Sequence, residues 1–455
     1  MKTSILRILA VCLIVVLTLP SLASCAGRGK TLLSMEKDGI KVTLSVNVYE
    51  LMLSRGKGNL INNGENAHKE SYWSYTSKFG GDKVLTYDEY YRSLVLDNCR
   101  TYVVAMYLYE KAGLSLSDKA IENVEKQMEE LVKENGGGSK AKLNSVLAEY
   151  GVNYDILKDA YLMYEKMIQL QNHLYGENAK NVGIDIKDDF LKEHYLHFKQ
   201  IYFPNSKFVY EKDSFGHTAY YYTSGDLKDH FYYDTGNGVP GYNEDGSKMT
   251  DKYGDVIYFI NNGKQDKIAY NTTYGRPLKI MNGSSYKTEE LTSEEKTRLE
   301  ERVNTLYQTL EGCTAVEFES AYQQILEEYT ALDEAYGSMH YEDGYYIRKD
   351  IDYLAAGAEY EYLSKIVTEF ATMQAGETML VPSPQGYHII MKYDLPSKAY
   401  ENEVNEGWFS DFHQQLIDRL FIDMCSEYFD SIVTDEKILA TAPTMKEVGA
   451  NIYGY

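Results

Sequence analysis

Cysteine, cationic excess and long apolar runs are all scarce in this 455-residue sequence. Beyond Cys12 and Cys25 there are only Cys99, Cys313 and Cys425, an odd number without close spacing. That excludes a disulfide framework and a paired CxxC zinc site, and leaves buried thiols as the expectation. Lys and Arg number 46 against 68 Asp and Glu, a formal charge of −22. A surface so acidic argues against nucleic acid as a partner and against adsorption to anionic lipid. After Cys25 no apolar run approaches the roughly 20 residues that a membrane-crossing helix needs. A Gly-rich phosphate loop is also missing, and the acidic stretch at Asp245-Gly246 lacks the spacing of a calcium loop, so it reads as a turn. Glu193, His194 and His197 put two histidines three apart on an expected helix, but no further ligand has useful spacing. They read as surface polar groups, and neither metal nor cofactor is expected.

Tyrosine is plentiful, with 44 residues against 14 Phe and 2 Trp. It offers apolar area with a polar tip, which suits surfaces that meet varied partners as well as ordinary exposed strands. At the start, Lys2 and Arg7 precede an apolar run over residues 8–19, of signal-peptide length and too short to span a bilayer. Leu22-Ala23-Ser24-Cys25 follows and resembles the lipobox of bacterial lipoproteins. That resemblance implies cleavage after residue 24, acylation of Cys25, and an exported chain held by lipid at the outer face of the membrane. Losing Lys2 and Arg7 with the leader would take the charge from −22 to −24.

Along the mature chain, residues 40–46 alternate like a strand, and a Gly/Asn-rich stretch over 56–66 reads as a break. Helix signals follow. Thr86 with Glu89 is a capping-box pattern, Ser117 and Asn153 are N-cap residues, and Gly113, Gly151 and Gly176 fall at helix ends. Residues 86–176 therefore read as all-helical. A short helix over 186–195 and a strand over 198–203, stopped by Pro204, come next. Residues 205–290 carry Gly236-Asn237-Gly238, Asp245-Gly246, Asn262-Gly263 and Asn282-Gly283 between alternating runs, the signal of successive hairpins. A linker in place of 207–288 is expected to leave the rest folded, since a long excursion costs little once its ends are close. Thr292 with Glu295, and Thr314 with Glu317, open two more helices. A helix is expected over 358–370. From Trp408 to Ile432 an apolar stripe repeats every four residues and reads as one long helix.

Gly386-Tyr387-His388-Ile389-Ile390-Met391-Lys392 is a short apolar run, preceded by Gly376-Glu377 and by Pro382 and Pro384, and reads as a buried strand bounded by turns. It resembles the closing strand of parvulin-type peptidyl-prolyl isomerases. The helical region, with Lys111-Ala112-Gly113-Leu114-Ser115 between helices, is similar to the N-terminal region of the SurA and PrsA foldases. The resemblance implies an α+β fold in four parts. Residues 1–24 are a signal peptide and 25–185 a helical chaperone-like module. Residues 186–400 are a parvulin-like domain interrupted by the 205–290 insertion, and 401–455 carry a C-terminal helix that returns to the module.

It also implies a site. His388 matches the second of two histidines that face each other under the proline pocket, and Gln200 stands where the first would be. Tyr329-Thr330 fits a tyrosine-serine pair. The acidic position after it falls on Leu332 in strict register, with Asp333 one residue later. The pocket phenylalanine falls on Ala371, beside Phe370, and Met373 takes the usual leucine position. Asp343-Gly344-Tyr345-Tyr346 stands at a glycine-aromatic turn. The implied activity is prolyl isomerisation on unfolded, proline-containing exported polypeptides. A non-catalytic binding lipoprotein, using the Tyr-rich insertion as its recognition surface, and a pure holdase are the alternatives.

Overall fold

The computed structural model describes residues 29–79, 83–210, 219–222, 231–233, 239–240, 243–248, 258–259, 268–269, 275–277, 279–332, 341–351, 353, 357 and 360–455. Cys25 and the leader lie outside them, as do Asp333, Gly236-Asn237-Gly238 and Asn262-Gly263. The chain mixes helices with several small sheets. It divides into two compact units, one from Met1–Tyr195, Arg348–Ala356 and Pro396–Tyr455, the other from Leu196–Ile347 and Gly357–Leu395. No described helix is long and apolar enough to cross a membrane.

In the first unit a three-stranded antiparallel sheet joins the two ends of the described chain. Thr31–Lys37 runs in the middle, between Ile40–Ser45 and Ile432–Thr434. The helices begin where the caps are. Thr86 and Glu89 close a full capping box on Tyr87–Lys111, Ser117 caps Asp118–Glu134, and Asn153 caps Tyr154–Tyr175. One core collects Leu33, Val48, Tyr102, Val103, Leu157 and Met167 with Phe421, Cys425 and Met445 from the far end of the sequence.

Two expectations fail here for tertiary reasons. Val46–Asn62 is a single helix that continues through Gly56 and Gly58. Its residues are buried on nearly every side, and packing of that kind outweighs the roughly 1 kcal/mol that each glycine costs a helix interior. Gly58 has a steric role as well, because a Cβ there would lie 2.0 Å from the Asn451 carbonyl oxygen. The stripe from Trp408 to Ile432 is not one helix. It breaks into Glu406–Phe409 and Phe412–Ser426, and Ile432 opens the strand that pairs with Met35. The hydrophobic period survives because both the helix and the strand face the same core.

The second unit is built on a four-stranded sheet in the order Tyr345–Arg348, Tyr195–Pro204, Gly386–Tyr393, Thr378–Ser383. Gly386–Tyr393 is therefore an interior strand, paired antiparallel on both sides. Pro382 lies inside Thr378–Ser383 rather than in a turn. It is tolerated there because that strand is an edge, where a missing N–H costs no ladder bond. Ser293–Leu310 and Ala315–Leu332 start at their expected boxes, Thr292/Glu295 and Thr314/Glu317. Their apolar faces, with Val303, Phe318, Tyr322 and Ile325, cover one face of the sheet at Ile201, Phe203, Ile389 and Met391. On the other face lies the helix Glu361–Phe370.

The described parts of the 205–290 region are short antiparallel strands. They include Met281–Asn282 with Ser285–Tyr286, the hairpin expected at Asn282-Gly283. At the base of the region, Ser206–Phe208 pairs with Thr288–Glu290, and Phe208 is buried in the unit's core. A linker replacing 207–288 would remove that buried residue and break the strand pair at the base of the region.

Candidate functional site

Strand alternation decides which side chains meet on the sheet face opposite the long helices. With Ile201, Phe203, Ile389 and Met391 facing those helices, Gln200, Tyr202, His388 and Lys392 must point the other way. The register sets His388 opposite Tyr202 on one side and Val381 on the other. Gly386 opens this strand at φ +153°, and a Cβ there would lie 2.0 Å from the Phe203 carbonyl oxygen, so a side chain would force the strands apart.

His388 is 3 % exposed and Gln200 4 %. The His388 Nδ1 lies 3.0 Å from Gln200 Oε1, and its Nε2 lies 2.9 Å from Ser383 Oγ. Since the amide oxygen can only accept, Nδ1 carries the proton and Nε2 accepts from the Ser383 hydroxyl. The Gln200 amide N–H bonds the Tyr345 hydroxyl, so Tyr345, Gln200, His388 and Ser383 form one chain of hydrogen bonds. Tyr202 and Tyr362, both half-buried, stack on the imidazole at centroid distances of 4.8 and 4.2 Å. Burial pushes the His388 pKa down to about 3, so the ring is neutral through the physiological range. Burial also raises the hydroxyl pKa values of Tyr345 and Tyr362.

Phe370 is a core residue at the end of its helix. Its ring meets Phe198 edge-on at 5.9 Å, and Lys392 Nζ sits 5.6 Å above it. Met373 is half-buried in the following turn and contributes its carbonyl, which accepts from Lys392 Nζ at 2.6 Å. Lys392 also bonds the Phe370 carbonyl at 2.8 Å, so these two positions anchor the helix end to the sheet, four residues along the strand from His388. Tyr329 packs edge-on against Phe203, on the opposite face of the sheet from His388. Asp333 lies outside the described residues.

His197 is not a surface helix residue beside His194. It is a buried strand residue with Nδ1 2.8 Å from the Asp394 carbonyl and Nε2 3.0 Å from that of Asp343, stacked on Tyr346. Among the described residues no cluster of His, Cys, Asp and Glu is arranged to hold a metal ion.

Sequence reasoning missed Tyr202, Tyr362 and Ser383, and it placed Tyr345 at a turn without giving it a part in the network. For Tyr202 a signal was available, because it stands two residues from Gln200 and so on the same strand face. Tyr362 and Ser383 come from elements whose placement against His388 is set by packing and register.

No family model matches the chain, and no curated protein matches it. Five solved chains do. One is the crystal structure of PrsA from Bacillus subtilis, matched at 14 % identity over 79 % of this chain and 91 % of that one, with a TM-score of 0.18.

Proposed function

We propose that this chain is an exported folding factor, lipid-anchored through Cys25, that binds unfolded proline-containing polypeptides and carries a divergent parvulin-type prolyl isomerase site on its sheet. The observation that carries the reading is the buried, neutral His388–Gln200 pair with Tyr202 and Tyr362 stacked upon it. Isomerisation makes and breaks no covalent bond. Its barrier of about 18–20 kcal/mol is lost amide resonance, so a catalyst needs a shielded apolar surface and a few fixed hydrogen bonds rather than a nucleophile. Tyrosine rings offer a proline that surface, and the network through Ser383, His388, Gln200 and Tyr345 fixes them. Glutamine at position 200 does what a second histidine would do in the network, accepting from His388 and donating to Tyr345.

A proline-limited refolding assay tests this, because the uncatalysed slow phase takes on the order of tens to hundreds of seconds. Catalytic amounts of the protein should speed that phase, Tyr362→Ala should reduce the effect, and Gln200→His should raise it. The holdase reading is favoured by the near-complete burial of His388 and by the engagement of both its ring nitrogens. It requires suppressed aggregation with an unchanged slow phase at stoichiometric protein.

A further inference from the structure

In the helical unit, Val46–Asn62 holds a second, irregular segment of the chain by its main chain. Lys57 Nζ donates to the carbonyls of Lys446 at 3.0 Å and Val448 at 2.9 Å. Asn62 Nδ2 donates to the Ile452 carbonyl at 3.0 Å, and Arg55 Nε to the main-chain oxygen of Tyr455. In the reverse direction the Asn451 N–H bonds the Ser54 carbonyl at 3.0 Å. Gly58 lies between these donors, and its missing Cβ is what lets the Asn451 backbone pass. The side chains of the segment are held less uniformly. Met445, Val448 and Tyr455 are buried, whereas Ile452 and Tyr453 are exposed. Tyr455 fills a socket beside Tyr150, at 5.9 Å between rings, and its hydroxyl accepts from Asn135 Nδ2.

Donors aimed at four main-chain oxygens spread along one segment, a glycine that lets its backbone pass close by, and a socket for one aromatic ring together form a recognition pattern that reads polypeptide backbone more than sequence. We propose that this groove is a binding site for extended polypeptide carrying an aromatic residue, occupied here by the chain's own residues 443–455, which act as a releasable strap. The proposal gives the polypeptide binding of the preceding section a location and a control, and it needs nothing from His388. Loss of isomerase activity and failure of the groove are therefore separate results.

The test is a labelled peptide of residues 443–455, titrated by fluorescence anisotropy against the full chain and against the full chain carrying Val448→Ala and Tyr455→Ala. These changes loosen the strap and leave the groove intact. The variant should bind the peptide at least tenfold more tightly than the parent, a chemically unfolded polypeptide should compete it off, and adding Gly58→Ala should abolish binding. Hydrogen exchange on the unmodified chain supplies the second measurement. The amides of Asn451 and Tyr455 should exchange at least tenfold faster than those in the middle of Tyr87–Lys111, because the strap opens without global unfolding. Equal peptide affinity for parent and variant, or strap amides as protected as that helix, overturns the proposal.

Discussion

Two buried ionisable side chains, one from each unit, sit among polar partners and are handled differently. In the sheet unit, both His388 ring nitrogens are hydrogen-bonded and burial holds the pKa near 3. In the helical unit, Asp418 is 1 % exposed. Its Oδ1 accepts from Gln414 at 2.9 Å and from Gln171 at 3.4 Å, while Oδ2 has no partner among the described residues. Burial raises its pKa to about 6. Desolvation favours the neutral form in both cases. For the histidine the neutral form is the one its partners already satisfy at neutral pH. The aspartate is ionised at neutral pH and reaches its favoured form only in mild acid. A buried polar group is thus a fixed structural part in one unit and a titrating one in the other.

The largest expected effect is at the sheet. His388→Ala would open a cavity between two tyrosine rings and take from the buried Gln200 Oε1 its His388 donor, while the Ser383 hydroxyl keeps the Gly386 carbonyl as an acceptor. A loss of about 3–5 kcal/mol follows from the two effects together, read as a fall in the urea midpoint. A loss under about 1 kcal/mol would mean that the network contributes little to stability.

The next effect is a pH dependence in the opposite unit. Because the folded pKa of Asp418 lies above the unfolded value of 3.8, the folded state binds the proton more readily. The cost of the buried charge is fully present above pH 6, lessens as the pH falls through 6, and is gone below the unfolded value. At about 1.4 kcal/mol per pH unit, the helical unit should gain roughly 1 kcal/mol from this group between pH 7 and pH 5. Asp418→Asn should remove that gain and raise stability at pH 7. An unchanged pH profile in the variant would show that Asp418 is solvated in solution. His388 acts on the sheet unit with the opposite sign: the unfolded ring takes up a proton as the pH falls through 6.5 while the buried ring stays neutral, so this group costs stability between pH 7 and pH 5, and His388→Gln should remove that loss.

The smallest effect compares like with like. Thr86 in the helical unit and Thr292 in the sheet unit each close a full capping box. Substituting either with alanine should cost about 1 kcal/mol by thermal unfolding. Unequal losses would mean that the two units do not unfold with the same cooperativity.

Local signals were legible wherever the physics is local. The caps at Thr86, Ser117, Asn153, Thr292 and Thr314 mark their helices because a side-chain oxygen three residues from an orphan N–H needs nothing else. The short apolar runs over 198–203 and 386–392, bounded by turn residues, were enough to make them strands, and the resemblance to parvulins set Gln200 against His388. What the sequence left open depended on neighbours distant in the chain. Gly56 and Gly58 have the composition of a break, yet they lie in a helix because a segment nearly 400 residues later packs on them. Ile432 continues a helical stripe but pairs as a strand because Met35 offers an unpaired edge. The resemblance brings Phe370 and Met373 to a pocket, but where they sit is decided by the packing of Phe370 on Phe198 and by the bond from Lys392 to the Met373 carbonyl. Tyr362 and Ser383 reach His388 only through helix placement and strand register, which depend on contacts between residues remote in sequence.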